Sequence, residues 1–191
     1  MSYAPVILKP HEPVAERVLL PGDPGRALRL AQQLIDGPRM LNHHRGLWGY
    51  SGPAADGAPL TVQSTGLGGP SAAAVVADAA IAADGASRAL GAGGRVDADP
   101  QLTAALAPYG VARGLVASAD IHDPVLAARW TEAGALACDL ATAAVLAAAA
   151  RHGAAAAAVL AITRVGDERV DEDALESLES ALGAAGAAAF G

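Results

Sequence analysis

The residues best suited to chemistry in this chain stand together in Arg17-Val18-Leu19-Leu20-Pro21-Gly22-Asp23-Pro24-Gly25-Arg26. Gly22 lets a ligand approach the backbone, a helix starting at Pro24 leaves amide N–H groups unpaired, and Arg26 adds a fixed cation with forked donors. These are the parts of an anion site. An ordinary strand-turn-helix corner with a solvated arginine fits the same ten residues equally well. A second stretch, Ser64-Thr65-Gly66-Leu67-Gly68-Gly69-Pro70-Ser71, reads as a glycine loop that leaves a strand and opens a helix at Pro70. Its free amides could meet an anion or a sugar hydroxyl.

Both stretches depend on the elements around them. Val18 to Leu20 predicts a short buried strand ending at Pro21-Gly22, with Asp23 as N-cap and Pro24 as the first helical residue. Ala27, Leu28, Leu30, Ala31, Leu34 and Ile35 then recur at helical spacing until Gly37-Pro38. The segment from Met40 to Tyr50 and the strand from Pro59 to Thr65 predict a hairpin across Asp56-Gly57. His43 and His44 are adjacent, point apart on a strand and lack partners at ligand spacing, so no metal site is expected.

From Ala72 to Ala83 the chain is apolar and reads as either strand or helix, ended by Asp84-Gly85-Ala86-Ser87, with Gly91 to Gly94 as loop. Asp99-Pro100 starts a helix to about Ala107, Val111 to Ser118 reads as a strand, and Asp123-Pro124 caps the helix containing Trp130. Ala135 to Asp139 is a short strand, Leu140 to His152 a helix ended by Gly153, Ala155 to Thr163 a strand, and Asp171 to about Ala189 a closing helix. Asp167, Glu168, Arg169 and the acidic run to Glu179 read as a solvated helix face. Trp48, Trp130 and Tyr50 read as core or interface anchors. The alternation predicts an α/β fold of three layers, a mixed, mostly parallel central sheet flanked by helices.

Composition narrows the functional classes. A chain of 191 residues, 52% hydrophobic, is long enough for one domain over residues 1–191. A net charge of -7, from 20 acidic against 13 basic residues, argues against nucleic acid or an anionic membrane as partner. Cys138 is the single cysteine, so an internal disulfide is excluded and a reducing compartment is expected. The start of the chain, with Lys9, His11 and Glu12, shows no signal-peptide pattern. The alanine-rich run from Ala141 to Ile162 is broken by Arg151, His152 and Gly153, so it is not read as a membrane span. A cytoplasmic protein is the expectation.

Three stretches together resemble the nucleoside phosphorylase family, which contains hexameric purine nucleoside phosphorylases and uridine phosphorylase: Pro21-Gly22-Asp23-Pro24-Gly25-Arg26, the Asn42 to Gly52 run with Arg45-Gly46 and Gly49-Tyr50, and Ser64 to Ser71. The likeness continues through Asp84-Gly85-Ala86-Ser87, Ser118-Ala119-Asp120 and the helix from Cys138. It implies a nucleoside phosphorylase-like fold and phosphorolysis, in which orthophosphate attacks the anomeric carbon of a nucleoside to give a pentose 1-phosphate and a free base. Positive charge develops on the sugar, so the protein must supply an anion beneath it and donors to the departing base. By position, the resemblance makes Gly22 and Arg26 the phosphate-holding pair and Arg45 the arginine lent to a neighbouring subunit's phosphate. Thr65 and Gly66 match the loop beside sugar and base, and His11 the family's amino-terminal histidine. Implied with these are a homo-oligomer, dimer-based and up to a hexamer, orthophosphate as co-substrate without any cofactor, and a place in nucleoside catabolism.

The departures from that pattern are equally specific. The family's strand ending in Arg-(Val/Ile)-Gly-(Ser/Thr), which supplies a second phosphate arginine and a hydroxyl, has no counterpart here; an internal block is absent near Val76-Asp78. Asp139-Leu140-Ala141 stands where the family has Glu-Met-Glu, which leaves Leu140 as a substrate-binding position and removes the glutamate that binds sugar hydroxyls. Thr163-Arg164 replaces the purine branch's general-acid aspartate and resembles the uridine branch, so Arg164 is the implied catalytic residue and the base preference leans to pyrimidine. An alternative is a member that has lost catalysis and persists as a nucleoside-binding or assembly protein. A third reading, Gly66 to Ser71 as a dinucleotide loop with Asp84 on the ribose, lacks the third glycine and the surrounding strand-helix-strand unit.

Overall fold

The computed structural model describes residues 8–65, 73–166, 168–169 and 172–190. The chain forms two compact units, residues 1–69 with 179–191 and residues 70–178, where length alone allows one full domain.

In the first unit, β1 (Arg17–Leu19) runs into α1 (Pro24–Leu34) through the Pro21-Gly22 corner. Asp23 is the N-cap: its carboxylate accepts the Arg26 N–H at 2.8 Å, and Pro24 takes the first helical position, whose N–H would have no helical partner anyway. Next come β2 (Arg39–Asn42), a 3-10 turn (His44–Gly46), β3 (Gly49–Pro53) and β4 (Pro59–Gln63). The sheet order is β1-β4-β3-β2, with β1 parallel to β4 and the other pairs antiparallel. The predicted hairpin is β3–β4, and Gly57 at its tip has φ +79°. Ala27, Leu30, Ala31, Ile35, Tyr50, Leu60 and Val62 form the core beneath α1. His43 and His44 lie on no strand: His43 follows β2 and His44 opens the 3-10 turn. The predicted strand from Val18 is half-buried rather than buried, and Leu20 is exposed.

The second unit is built on β5 (Ala73–Ala82). The segment that reads as strand or helix in sequence is therefore a strand. Residues 74–77 are all buried, so the usual alternation of a half-exposed strand is missing, and alanine side chains hide the strand preference of Val75, Val76 and Ile81. After α2 (Gly85–Ala89) come β6 (Gly94–Asp97), α3 (Pro100–Leu106) with a 3-10 turn (Ala107–Tyr109), and β7 (Ala112–Ser118). Then follow α4 (Pro124–Glu132), β8 (Ala137–Asp139), α5 (Thr142–His152) and β9 (Ala158–Ile162). Gly94, expected in a loop, begins β6.

β5 pairs in parallel with β7, which pairs in parallel with β8. On its other edge β5 carries two antiparallel strands in succession, β9 along Ala73–Ala77 and β6 along Ala79–Ala82. A strand left without its usual neighbours would expose ladder donors and acceptors. Here both edges of β5 are paired. Val75, Ala77, Ala80, Ala82, Val116, Ala143 and Leu146 form the core, with α5 laid on the sheet and ended by Gly153 at φ +68°.

A small hairpin, β10 (Arg164–Val165) and β11 (Glu168–Arg169), precedes α6 (Glu172–Ala188). Glu168 and Arg169 thus lie in a strand and not on a helix face. The sheets flanked by helices agree with the α/β expectation. Antiparallel pairings outnumber parallel ones among the described residues, because β6 and β9 share one edge of β5. No helix among the described residues is long and apolar enough to cross a membrane.

Candidate functional site

The Pro21-Gly22 turn is set by α1 and β4 together. β1 lies parallel to β4 with Leu19 opposite Val62, so the chain leaves both strands at the same end of the sheet. The Thr65 N–H donates to the Pro21 carbonyl at 2.9 Å, which fixes the entrance of the glycine loop against the Pro21-Gly22 turn. Thr65 and Gly22 are thereby brought together. Gly66 and the rest of the glycine loop through Ser71 lie outside the described residues.

Gln63 anchors a second edge of this region. Its buried Nε2 donates to Ser64 O at 2.9 Å and Leu47 O at 3.1 Å, with a longer contact to Trp48 O at 3.4 Å. Asn42, fully buried, also donates to Leu47 O and accepts the Lys9 N–H at 2.9 Å. One amide side chain thus ties the segment behind Arg45 to the segment in front of Thr65.

Arg45 is exposed and sits at φ +58°, ψ +25°, the left-handed region, which among the described residues no other non-glycine adopts. Such a backbone costs on the order of 1 kcal/mol and is held here by the turn around it. His11 stacks on His43 with centroids 5.7 Å apart, and its N–H donates to Leu41 O at 2.8 Å. Lys9, His11, His43, His44 and Arg45 gather positive or titratable groups. Burial, and then the charges of Lys9, Arg45 and His43, hold the His44 imidazole below its ordinary pKa.

Arg26 carries the largest surprise. Its guanidinium pairs with Glu179 of α6, whose other carboxylate oxygen accepts from Arg29 Nη2 at 2.8 Å. Only 5% of Glu179 is exposed, so it is no part of a solvated face. Sequence reasoning missed it although a signal was present: Glu179, Gly183 and Gly186 fall at i, i+4 and i+7, one stripe of a helix. The two glycines face Leu30 and Leu19, where an added Cβ would come within 2.0 and 2.9 Å of side-chain carbon.

In the second unit, Asp139 caps α5. Its Oδ2 accepts the Thr142 N–H at 2.8 Å and the Thr142 hydroxyl at 2.6 Å, while its Oδ1 accepts the hydroxyl of buried Ser118. Ser118 Oγ in turn accepts the Ala143 N–H at 2.9 Å. That carboxylate is committed to structure, Leu140 beside it is exposed, and Ala141 offers no acceptor. Arg164 is exposed at the start of β10. Cavities of about 180 and about 500 Å³ lie in this unit, and neither is lined by Leu140 or Arg164. Tyr50, 6% exposed, belongs to the core, and burial raises its phenol pKa.

The described residues define an α/β protein in which a helix-capped turn at Pro21-Gly22 is tied to Thr65 just after β4. No protein-family model matches the chain. Purine nucleoside phosphorylase of the DeoD type from Oceanobacillus iheyensis is 43% identical over 58 residues, which is 30% of this chain and 24% of that protein. The DeoD-type enzyme of Roseobacter denitrificans is 45% identical over 58 residues, with the same shares. The matched segment spans about a quarter of the length of these curated relatives. Among solved structures, uridine phosphorylase from Vibrio fischeri ES114, in complex with 6-hydroxy-1-naphthoic acid, superposes with TM-score 0.81 at 19% identity, covering 93% of this chain and 91% of that one. A second crystal structure of that protein gives 0.79 at 18% identity, covering 92% of each chain. The chain thus shares a 58-residue sequence segment with purine nucleoside phosphorylases and its fold with a uridine phosphorylase.

Proposed function

We propose that this protein is a pentosyltransferase that cleaves a nucleoside with orthophosphate, releasing the free base and a pentose 1-phosphate. The observation that carries the reading is the bond from Thr65 N–H to Pro21 O, which ties the residue we assign to the sugar to the turn we assign to phosphate within one unit. Orthophosphate would be held by the Gly22 amide and Arg26, with Arg45 reaching it from a neighbouring copy in a homo-oligomer. The exposed, left-handed placement of Arg45 supports a role outside its own unit. The reaction needs no cofactor: phosphate is the nucleophile, and the site's work is to position it and to offset charge as the sugar becomes cationic.

For the base we propose a pyrimidine nucleoside of uridine type, on the ground that Arg164 stands directly after β9 where a general-acid aspartate would serve a purine. Thr65, with Gly66, would line the sugar and base. A cytoplasmic place in nucleoside catabolism follows from the same chemistry.

One set of observations favours a second reading, a member with impaired catalysis that still binds nucleoside or assembles with copies of itself. Ala141 cannot accept a sugar hydroxyl, Asp139 is spent capping α5, and the second phosphate arginine of the family has no counterpart. The deciding experiment is phosphate-dependent release of uracil from uridine, and of hypoxanthine from inosine, by the purified protein. Release of uracil supports the first reading. Nucleoside binding without turnover supports the second.

A further inference from the structure

We propose that Glu179 is a built-in competitor for the anion at Arg26: its carboxylate holds the guanidinium when phosphate is absent and sets how tightly orthophosphate binds. This rests on the reading of Arg26 as a phosphate ligand. A carboxylate and a phosphate present the same kind of oxygen acceptor to a guanidinium, so the two contend for one forked donor set. Glu179 is well placed to contend. Its side chain is 4% exposed against 17% for that of Arg26, and within the first unit the end of α6 packs Gly183 against Leu30 and Gly186 against Leu19. A buried negative charge beside the site also opposes a second anion at short range, with little screening by salt. Two guanidiniums share the Glu179 carboxylate, and Arg29, with 45% of its side chain exposed, draws one of its oxygens away from Arg26. Arg29 thereby weakens the competitor without contacting phosphate itself.

The test is calorimetric titration of inorganic phosphate into the full chain. Glu179→Gln is expected to bind phosphate at least about tenfold tighter than wild type, the size of one charge-assisted hydrogen bond. Affinity that is unchanged or weaker in a folded Glu179→Gln protein would overturn the proposal. Should that variant fail to fold, Arg29→Gln provides the second test: it leaves Glu179 free to commit both oxygens to Arg26 and is expected to weaken phosphate several-fold. Unchanged or tighter binding in Arg29→Gln would also overturn it. Where both variants fold, Arg29→Gln added to Glu179→Gln should have little further effect, and a full additive loss counts against the competition. Phosphate binding to wild type that survives Arg26→Ala, or is absent in every variant, removes the phosphate reading of Arg26 itself. Binding lost with Arg26→Ala but indifferent to Glu179 removes only the competition.

Discussion

The Thr65 N–H donates to the Pro21 carbonyl oxygen at 2.9 Å, and through that bond the end of β4 and the Pro21-Gly22 turn share one backbone framework. The parallel pairing of β1 with β4 brings the two chain ends side by side, and the bond then prevents them from separating. Any change that loosens this framework should reach stability and substrate binding together.

Gln63 is where that coupling is easiest to test. Its Nε2 supplies the Ser64 and Leu47 carbonyls from a buried position. Gln63→Leu should cost about 1–3 kcal/mol of stability by leaving Ser64 O without its donor, and Gln63→Glu should cost more because a carboxylate would face carbonyl oxygens. Urea denaturation of the three proteins measures the order, which should be wild type, then Leu, then Glu.

Arg45 should separate stability from function. Glycine at this position relieves the left-handed backbone, a gain of about 1–2 kcal/mol, against a flexibility cost of about 0.5–1 kcal/mol. Arg45→Gly is therefore expected to be more stable than wild type by up to about 1.5 kcal/mol, while its phosphate affinity falls at least about tenfold. Thermal melting and phosphate titration on one preparation give both quantities.

On the proposed reading, Ala141 stands where a sugar acceptor is missing. It is half-buried at the mouth of α5, and Asp139 cannot replace it because both of its oxygens serve Thr142 and Ser118. Ala141→Glu is expected to improve nucleoside binding about tenfold, the scale of a charge-assisted hydrogen bond. The half-saturation concentration for uridine is the readout, and the one for phosphate should not move.

Arg17 and Asp56 give a pH signature at the turn between β3 and β4. The Arg17 guanidinium, 2.6 Å from the carboxylate, lowers the Asp56 pKa from 3.8 to about 2. A lowered folded-state pKa means that the carboxylate stabilises the fold above its unfolded value, and that this help is lost as pH falls through the folded one. Wild type should exceed Asp56→Asn in melting temperature at pH 6, and the gap should close between about pH 4 and about pH 2.

Much of the corner is legible in sequence because its signals are local. Asp23-Pro24 declares a cap and Gly153 a helix end, and each is observed where its short-range chemistry requires. The ambiguous run from Ala72 to Ala83 carries no such signal. A strand buried on both faces loses its alternation, and its identity is decided by β7, β6 and β9, which come later in the chain. Glu179 is the sharper lesson, since its charge pattern reads as solvated while its partners, Arg26 and Arg29, lie some 150 residues earlier. Charge sign shows locally, but charge pairing is a long-range property.

The central claim is that orthophosphate sits on Gly22 and Arg26, and a crystal of the protein grown with saturating inorganic phosphate tests it most directly. The account predicts a phosphate within hydrogen-bond distance of the Gly22 amide and the Arg26 guanidinium, with Glu179 withdrawn from that guanidinium. A turn at Pro21-Gly22 that holds no phosphate, with Arg26 still closed on Glu179, would contradict it.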